Sequence, residues 1–251
     1  MDSLFDIIGI PFEYIMKFLD FTHSYPITII IFTLIVNVAM IPLTVKQQKS
    51  MAKQARLKPK LEALQKKYGN DRNKMAAAQQ ELYQNENISP AGGCLPMVIR
   101  MVVLMGVYRA VYRIIDDTTI NMGFSFFGLD LKQTPNFKEG FEIIWIIPIL
   151  VFVSQALSML ITQLQQKKNG QIQQGGGCMM IGMILVFPIF SAYITFNLKA
   201  AVGYYWIISS MVNTLIQLFV NHHFSTPKLL AESTAKEGLE RKKYEAARIK
   251  K

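Results

Sequence analysis

The sequence predicts an all-α membrane protein of five transmembrane helices, with an amphipathic N-terminal helix and a cytoplasmic helical hairpin. Three observations predict it. Of 251 residues, 51% are hydrophobic and only 18% charged, less charge than a soluble domain of this size carries. Five apolar runs of membrane-spanning length recur along the chain. The net charge of +10 is concentrated on alternate connections between those runs.

Residues 1–24 open with MDSLFDIIGIPFEYIMKFLDF, where Lys17 is the one base against Asp2, Asp6, Glu13 and Asp20. A secretory signal needs a basic start and a transit peptide is rich in arginine, so neither fits. Leu4, Ile7, Ile8, Pro11, Phe12, Ile15, Phe18 and Leu19 fall at helical spacing. They predict an amphipathic helix at the membrane surface, interrupted near Gly9-Ile10-Pro11, or else a leader packed on the rest of the chain with no lipid role.

The first span, residues 25–45, reads YPITIIIFTLIVNVAMIPLTV, and its length at about 1.5 Å per residue covers the ~30 Å hydrocarbon core. It holds Asn37, and Pro42 near its end. Residues 46–89 then turn strongly basic, with ten bases and four acids between Lys46 and Ile88. Leu57, Leu61 and Leu64, then Met75, Ala78 and Leu82, form two apolar seams that meet at Gly69-Asn70. Pro59 marks a break in the first arm, and Asn70 or Asp71 can cap the second. A plain connector would not repeat such seams, so this is a helical hairpin.

The second span, residues 90–115, carries Arg100 inside an apolar run. A guanidinium there costs roughly 2.5 to 3.5 kcal/mol on insertion scales, so it must face protein or water. At the far end Arg113 and Asp117 are one turn apart and can pair. The loop 116–142 has five acids and two bases; within it NMGFSFFGLDL reads as an interfacial segment dipping aromatic residues into the headgroups. The third span is 143–163, followed by a short basic connector, 164–177. The fourth is 178–197 and the fifth 203–220, which begins with Tyr204, Tyr205 and Trp206 as an interfacial belt. The tail 225–251 has eight bases and four acids.

Five spans alternate sides, so the hairpin, the 164–177 connector and the tail share one side. All three are basic, which makes that side cytoplasmic, with the N-terminus outside and the C-terminus inside. Arg109 and Arg113 stand against this rule, and the adjoining aspartates soften it. Measured from the cytoplasmic ends, Asn37, Arg100, Gln155 and Asn213 each lie seven or eight residues in, about 10 to 12 Å deep. Four helices thus place a strong hydrogen-bonding group in one layer, which favours a shared polar cavity that Ser209 and Ser210 extend. Ordinary interhelical bonding, about 0.6 to 2 kcal/mol per pair, is the bland alternative. No Asp or Glu occurs in any span to neutralise Arg100, so a cation open to cytoplasmic water can receive an acidic ligand.

Cys94 and Cys178 have no metal-ligand spacing and no clustered histidines around them, which argues against a zinc site or a disulfide framework. On the cytoplasmic side both stay reduced. His23, His222 and His223 lie at span ends, and neither GxSxG nor HExxH occurs, so nothing points to an enzyme.

IPLTVKQQKSM closing the first span, the LKPKLEALQKKYGND hairpin and NISPAGGCLPMVIRM opening the second resemble the YidC/Oxa family of membrane protein insertases. FFGLDL and GYYWIISSMVNTLIQ support the likeness, which runs from about Tyr25 to about His223. The resemblance implies five helices around a hydrophilic groove open to the cytoplasm and to lipid, and closed outside. It also implies a bacterial plasma (inner) membrane location. The family's groove arginine sits on the first span, where this chain has Asn37, and the family commonly has glutamine at the position of Arg100. The two side-chain types have exchanged helices. FNLKAAVGYYW also lacks the family's usual phenylalanine-proline turn, and Lys199 is unusual there.

The implied function is a non-enzymatic insertase and chaperone, without cofactor, metal or DNA. Its partners would be nascent membrane-protein clients, membrane lipids, the ribosome and, if it does not act alone, the Sec translocon. Arg100, Asn37, Gln155, Asn213, Ser209 and Ser210 would line the groove, and the tail would contact ribosomal RNA or anionic lipid. The alternative, a small-solute channel or carrier, needs a polar path through the membrane, whereas the strong polar groups sit in one half.

Overall fold

The computed structural model describes residues 2–69, 71–86, 95–117, 120, 122–136, 142–169, 177–231 and 235. Side chains are described there except at 2–8, 72, 95–98, 100 and 177–184. Cys94, most of the tail and the side chains of Arg100 and Cys178 therefore lie outside the described residues. Among the described residues the main helices are α1 (Asp2–Phe18), α2 (Tyr25–Arg56), α3 (Lys58–Tyr68), α4 (Arg72–Asn85), α5 (Leu95–Asp116), α6 (Ile146–Lys168), α7 (Gly177–Thr195) and α8 (Ala200–His223). A two-stranded hairpin, β1 (Ser125–Phe126) and β2 (Leu129–Asp130), follows α5. Among the described residues, Tyr25–Arg56 and Ile143–Lys168 are long and apolar enough to cross a membrane.

The chain divides into two units. The first comprises Met1–Ile41, Pro96–Gln163 and Gly175–Gln217. Its core gathers Met16, Tyr25, Ile29, Phe32, Val107, Val111, Ile114 and Ile147, with Ala200 to Val202 at the start of α8. The leader is one uninterrupted helix through Gly9 and Pro11, which corrects the expected break. Glycine at position 9 allows a close approach to α5, since a Cβ there would stand 2.9 Å from the Arg109 Cβ. Met16 is buried and the Phe12 ring meets Phe32 edge-on at 5.6 Å, so one face of the leader packs on the unit. Tyr14 and Phe18 are exposed on the other.

The leader also supplies the counter-charges for the arginine that stood against the charge rule. Arg113 donates to the Glu13 carboxylate at 2.9 Å, and Lys17 bridges Glu13 and Asp117 at 2.9 Å each. Local spacing had suggested an Arg113–Asp117 pair; the tertiary fold inserts the leader's acid and base beside them. Burial raises the Glu13 pKa, but the hydrogen bonds and charges of Lys17 and Arg113 outweigh it and hold the carboxyl below its ordinary value. The bond from Glu13, then that from Asp117, pushes Lys17 up despite some burial. A lowered acid stabilises the fold above its unfolded pKa of about 4.3 and loses that contribution as pH falls through the folded value. A raised lysine keeps its contribution below about 10.4 and loses it above. The leader is thus expected to hold tightest between these limits. Hydrogen exchange of α1 should rise as pH is lowered below the ordinary carboxylate range, and Glu13→Gln should abolish that acid limb.

The β1–β2 hairpin is tied to the ends of two helices. Tyr25 N donates to Gly123 O at 2.9 Å and Gly123 N to His23 O at 3.0 Å, while Ala200 N reaches Gln133 O and Ala201 N reaches Leu131 O, each at 2.8 Å. Its two-residue loop is Phe127-Gly128, with φ of 48° and 81°. Both values are positive, as in a type I′ turn, which favours Asn-Gly or Gly-Gly. A bulky side chain in this conformation costs roughly 1 to 3 kcal/mol.

The second unit comprises Pro42–Leu95, Leu164–Gln174 and Leu218–Lys251. Its first segment continues α2, which runs past Val45 to Arg56 with Pro42 inside. The stretch KQQKSMAKQAR is rich in good helix formers, so the change to polar sequence changes what surrounds the helix without ending it. The break comes at Leu57, with Pro59 in the first turn of α3. Leu57, Leu61 and Tyr83 form a small buried cluster that seals α3 against α4, and Lys60 binds Glu86 across the pair. Asp71 caps α4, accepting from Asn73 N and Lys74 N at 3.1 Å. The backbone bond from Lys74, then that residue's ammonium, lowers the Asp71 pKa. Lys66, Lys67, Tyr68 and Lys74 line a recess of about 310 Å³ at the hairpin tip. Asn221 of α8 donates to Gln165 of α6 in this unit.

Candidate functional site

Several polar side chains of the first unit lie on the buried or half-buried faces of its helices. In α2, Thr28, Thr33 and Asn37 are buried, Asn37 being 8% exposed, while Ile27, Ile30, Leu34 and Val38 are exposed on the other side. Asn37 Nδ2 donates to Thr33 O at 2.8 Å. The Thr33 hydroxyl is buried and, among the described residues, has no hydrogen-bond partner, which costs about 1 to 3 kcal/mol unless water or a ligand reaches it.

In α6, Gln155 shares a half-buried face with Ser154, Ser158 and Thr162, opposite the exposed Phe152, Val153, Leu157 and Leu160. In α8, Ser210 is buried and Ser209, Asn213, Thr214 and Gln217 are half-buried, whereas Met211, Leu215 and Leu218 are exposed. Asn213 Nδ2 bonds Ser209 twice, to its carbonyl at 2.8 Å and its hydroxyl at 3.2 Å. Asn213 and Ser209, expected in the layer, are therefore joined directly. The bond described for Asn37 stays within α2.

Four residues not singled out from the sequence join α6 to α8. The Thr214 hydroxyl donates to Ser158 Oγ at 2.7 Å, and the Thr162 hydroxyl contacts Gln217 Oε1 at 2.9 Å. Both threonines also reach back to their own helices, to Ser210 O and Ser158 O at 2.8 Å. The readable signal was small polar residues one turn apart, 158 and 162 on one helix and 210 and 214 on the other. Such a pair in a membrane contributes about 0.6 kcal/mol. A double-mutant cycle of Ser158→Ala and Thr214→Val, read by unfolding in detergent, is expected to show a coupling of about that size.

Tyr204 and Tyr205, expected as an interfacial belt with Trp206, are instead buried in the core of this unit, and Trp206 is half-buried. Tyr204 packs on Phe126 with ring centres 4.9 Å apart. The helix start they mark is covered by the β-hairpin, which leaves them no lipid to face. Among the described residues, no group of three His, Cys, Asp or Glu could hold a metal ion.

A family model described as 60Kd inner membrane protein matches residues 17–227. The chain belongs to this family. The YidC/Oxa resemblance read from the sequence is thereby borne out. Relatives named membrane protein insertase YidC include one from Pseudoalteromonas atlantica, 33% identical over 239 residues, covering 92% of this chain and 38% of that protein. One from Fusobacterium nucleatum is 30% identical over 200 residues, covering 80% of this chain and 87% of the relative. A protein named membrane protein insertase YidC 1, from Listeria monocytogenes, is 29% identical over 230 residues, covering 88% and 74%. The chain spans about two fifths of the length of long relatives such as the first, and most of the length of the other two. Members of the 60Kd inner membrane protein family are membrane proteins, and the apolar α2 and α6 accord with that.

Proposed function

We propose that the chain is a membrane protein insertase working without covalent chemistry. The family match over residues 17–227, with relatives named as insertases, carries this reading. Five helices, α2 and α5 to α8, cross the bilayer, with the α3–α4 hairpin and the basic tail in the cytoplasm and the leader outside. The inward faces bearing Asn37, Gln155, Ser209, Ser210 and Asn213 line a hydrophilic groove open to the cytoplasm. The buried Thr33 hydroxyl, which has no hydrogen-bond partner among the described residues, supports a wetted groove wall beside Asn37.

In the sequence Arg100 lies seven residues after Gly93, at the same depth in its span as Asn37, Gln155 and Asn213 in theirs. Arg100 there supplies one fixed positive charge. An acidic client tail enters from the cytoplasm and its carboxylates meet Arg100. The amides of Asn37, Gln155 and Asn213 replace water around its backbone. Each polar group so satisfied avoids a cost of several kcal/mol in hydrocarbon. The apolar client segment then leaves sideways into lipid. The hairpin captures clients, and the tail meets ribosomal RNA or anionic lipid.

The test is purified chain in sealed liposomes with a client synthesised outside. A protease-protected client, with no leak of small solutes in its absence, supports the insertase. Solute flux without a client, and no protected client, would establish the channel instead.

A further inference from the structure

The tip of the β1–β2 hairpin has a feature that neither the groove nor the core accounts for. Phe127 is 92% exposed and holds a positive φ, followed by Gly128. An asparagine or glycine would suit this turn better. A strained backbone presenting an apolar ring outward is a reason to look for what the ring meets.

The place of the hairpin answers that. Its backbone is bonded to the residues that begin α2 and α8, through Gly123 to Tyr25, Gln133 to Ala200 and Leu131 to Ala201. Phe124 stacks on Tyr25 at 4.8 Å, and Phe126 packs on Tyr204. The base is therefore fixed at the level where the apolar span Tyr25–Arg56 starts, which is the level of a lipid headgroup layer. Phe21, just before α2, and Ile143, just before α6, are exposed at the ends of the same spans. Asp130 and Lys132 are exposed behind the tip, and the Lys132 ammonium lies 4.7 Å from the Phe124 ring centre. An aromatic tip backed by a lysine is the pattern of an interfacial anchor, with the ring below the headgroups and the ammonium among them.

We propose that Phe127 is a membrane anchor: the rigid hairpin inserts its ring into the lipid interface at the end of the bundle where α2 and α8 begin. The strained turn aims the ring, and the buried aromatics at the base resist its withdrawal. The anchor rests on the membrane-spanning reading of α2 alone, not on the insertase reading.

The test places a reporter at the tip in the full chain, reconstituted in phosphatidylcholine and phosphatidylglycerol vesicles. Phe127→Trp is made with Trp145→Phe and Trp206→Phe, which removes both native tryptophans. The expected emission is blue-shifted. It is quenched more by bromines high on the acyl chains than by bromines near their ends, and little by aqueous acrylamide. Should the tryptophan replacements impair folding, Phe127→Cys with Cys94→Ser and Cys178→Ser carries an environment-sensitive dye and gives the same reading. Emission typical of water with strong acrylamide quenching overturns the anchor. Shielding from both acrylamide and bromine overturns it too, since that shows a protein partner or a second copy over the tip. In detergent, Phe127→Asn is expected to unfold at the same or a higher temperature, because asparagine suits the turn. A clear fall would mean the ring is a packing residue and would also contradict the proposal.

Discussion

Arg100→Gln is expected to slow insertion of a client with an acidic translocated tail by about ten-fold or more, and to leave a client with a neutral tail nearly unaffected. The size follows from the bond replaced. A hydrogen bond to a charged group contributes about 1.5 to 3 kcal/mol net, and 1.4 kcal/mol is a factor of ten. Glutamine keeps a polar donor at the site and removes only the charge. Asn37→Arg should restore acidic-tail insertion in the Arg100→Gln background, because Asn37 is buried on the inward face of α2. As a single change beside Arg100, a second cation in the same groove is expected to cost stability through like-charge repulsion. Equal losses for acidic and neutral tails would show that Arg100 acts through folding.

Gly203→Leu is expected to prevent stable assembly of the first unit, and Gly203→Ala to lower its stability by about 1 to 3 kcal/mol. A Cβ at position 203 would stand 2.6 Å from Ile147 Cγ2 and 2.7 Å from Thr195 Cγ2. Real carbons do not approach so closely, and both neighbours are methyls on branched carbons with little freedom to move. Without a strong hydrophobic drive between helices in lipid, close contact at a small residue is a main source of association. α6, α7 and α8 meet at this point. Thr195→Ser removes one of the opposing methyls, so it should recover part of the loss in Gly203→Ala. Thermal unfolding in detergent reads both effects.

Much of the helical order was legible because its signals are local. Apolar length marks α2 and α6, Pro59 marks the α2–α3 break, and Asp71 marks the start of α4. The continuation of α2 to Arg56 is not marked in the sequence, because a change to polar residues reads as the end of a span although the residues after Val45 favour helix. The leader's role needed tertiary information: nothing near Arg113 in sequence shows that Glu13, a hundred residues earlier, neutralises it. Gly9 reads as a helix breaker until α5 is seen against it. Of the candidate site, the sequence shows where each polar residue lies along its apolar run, but not its partners across helices. Ser158, Thr162, Thr214 and Gln217 declare themselves only when α6 and α8 lie side by side. The turn at Phe127 was hidden for a related reason, since phenylalanine is a poor marker of positive φ.

The account stands on water reaching the inward faces of α2 and α5 from the cytoplasmic side. Single cysteines at positions 37, 100 and 34, in a Cys94→Ser, Cys178→Ser chain, can be exposed in sealed inside-out vesicles, cytoplasmic face outward, to a thiol reagent that cannot cross lipid. The account predicts modification of Asn37→Cys and Arg100→Cys, slowed by an engaged client, and none of Leu34→Cys on the exposed apolar face. Protection of 37 and 100 equal to that of 34 would contradict it.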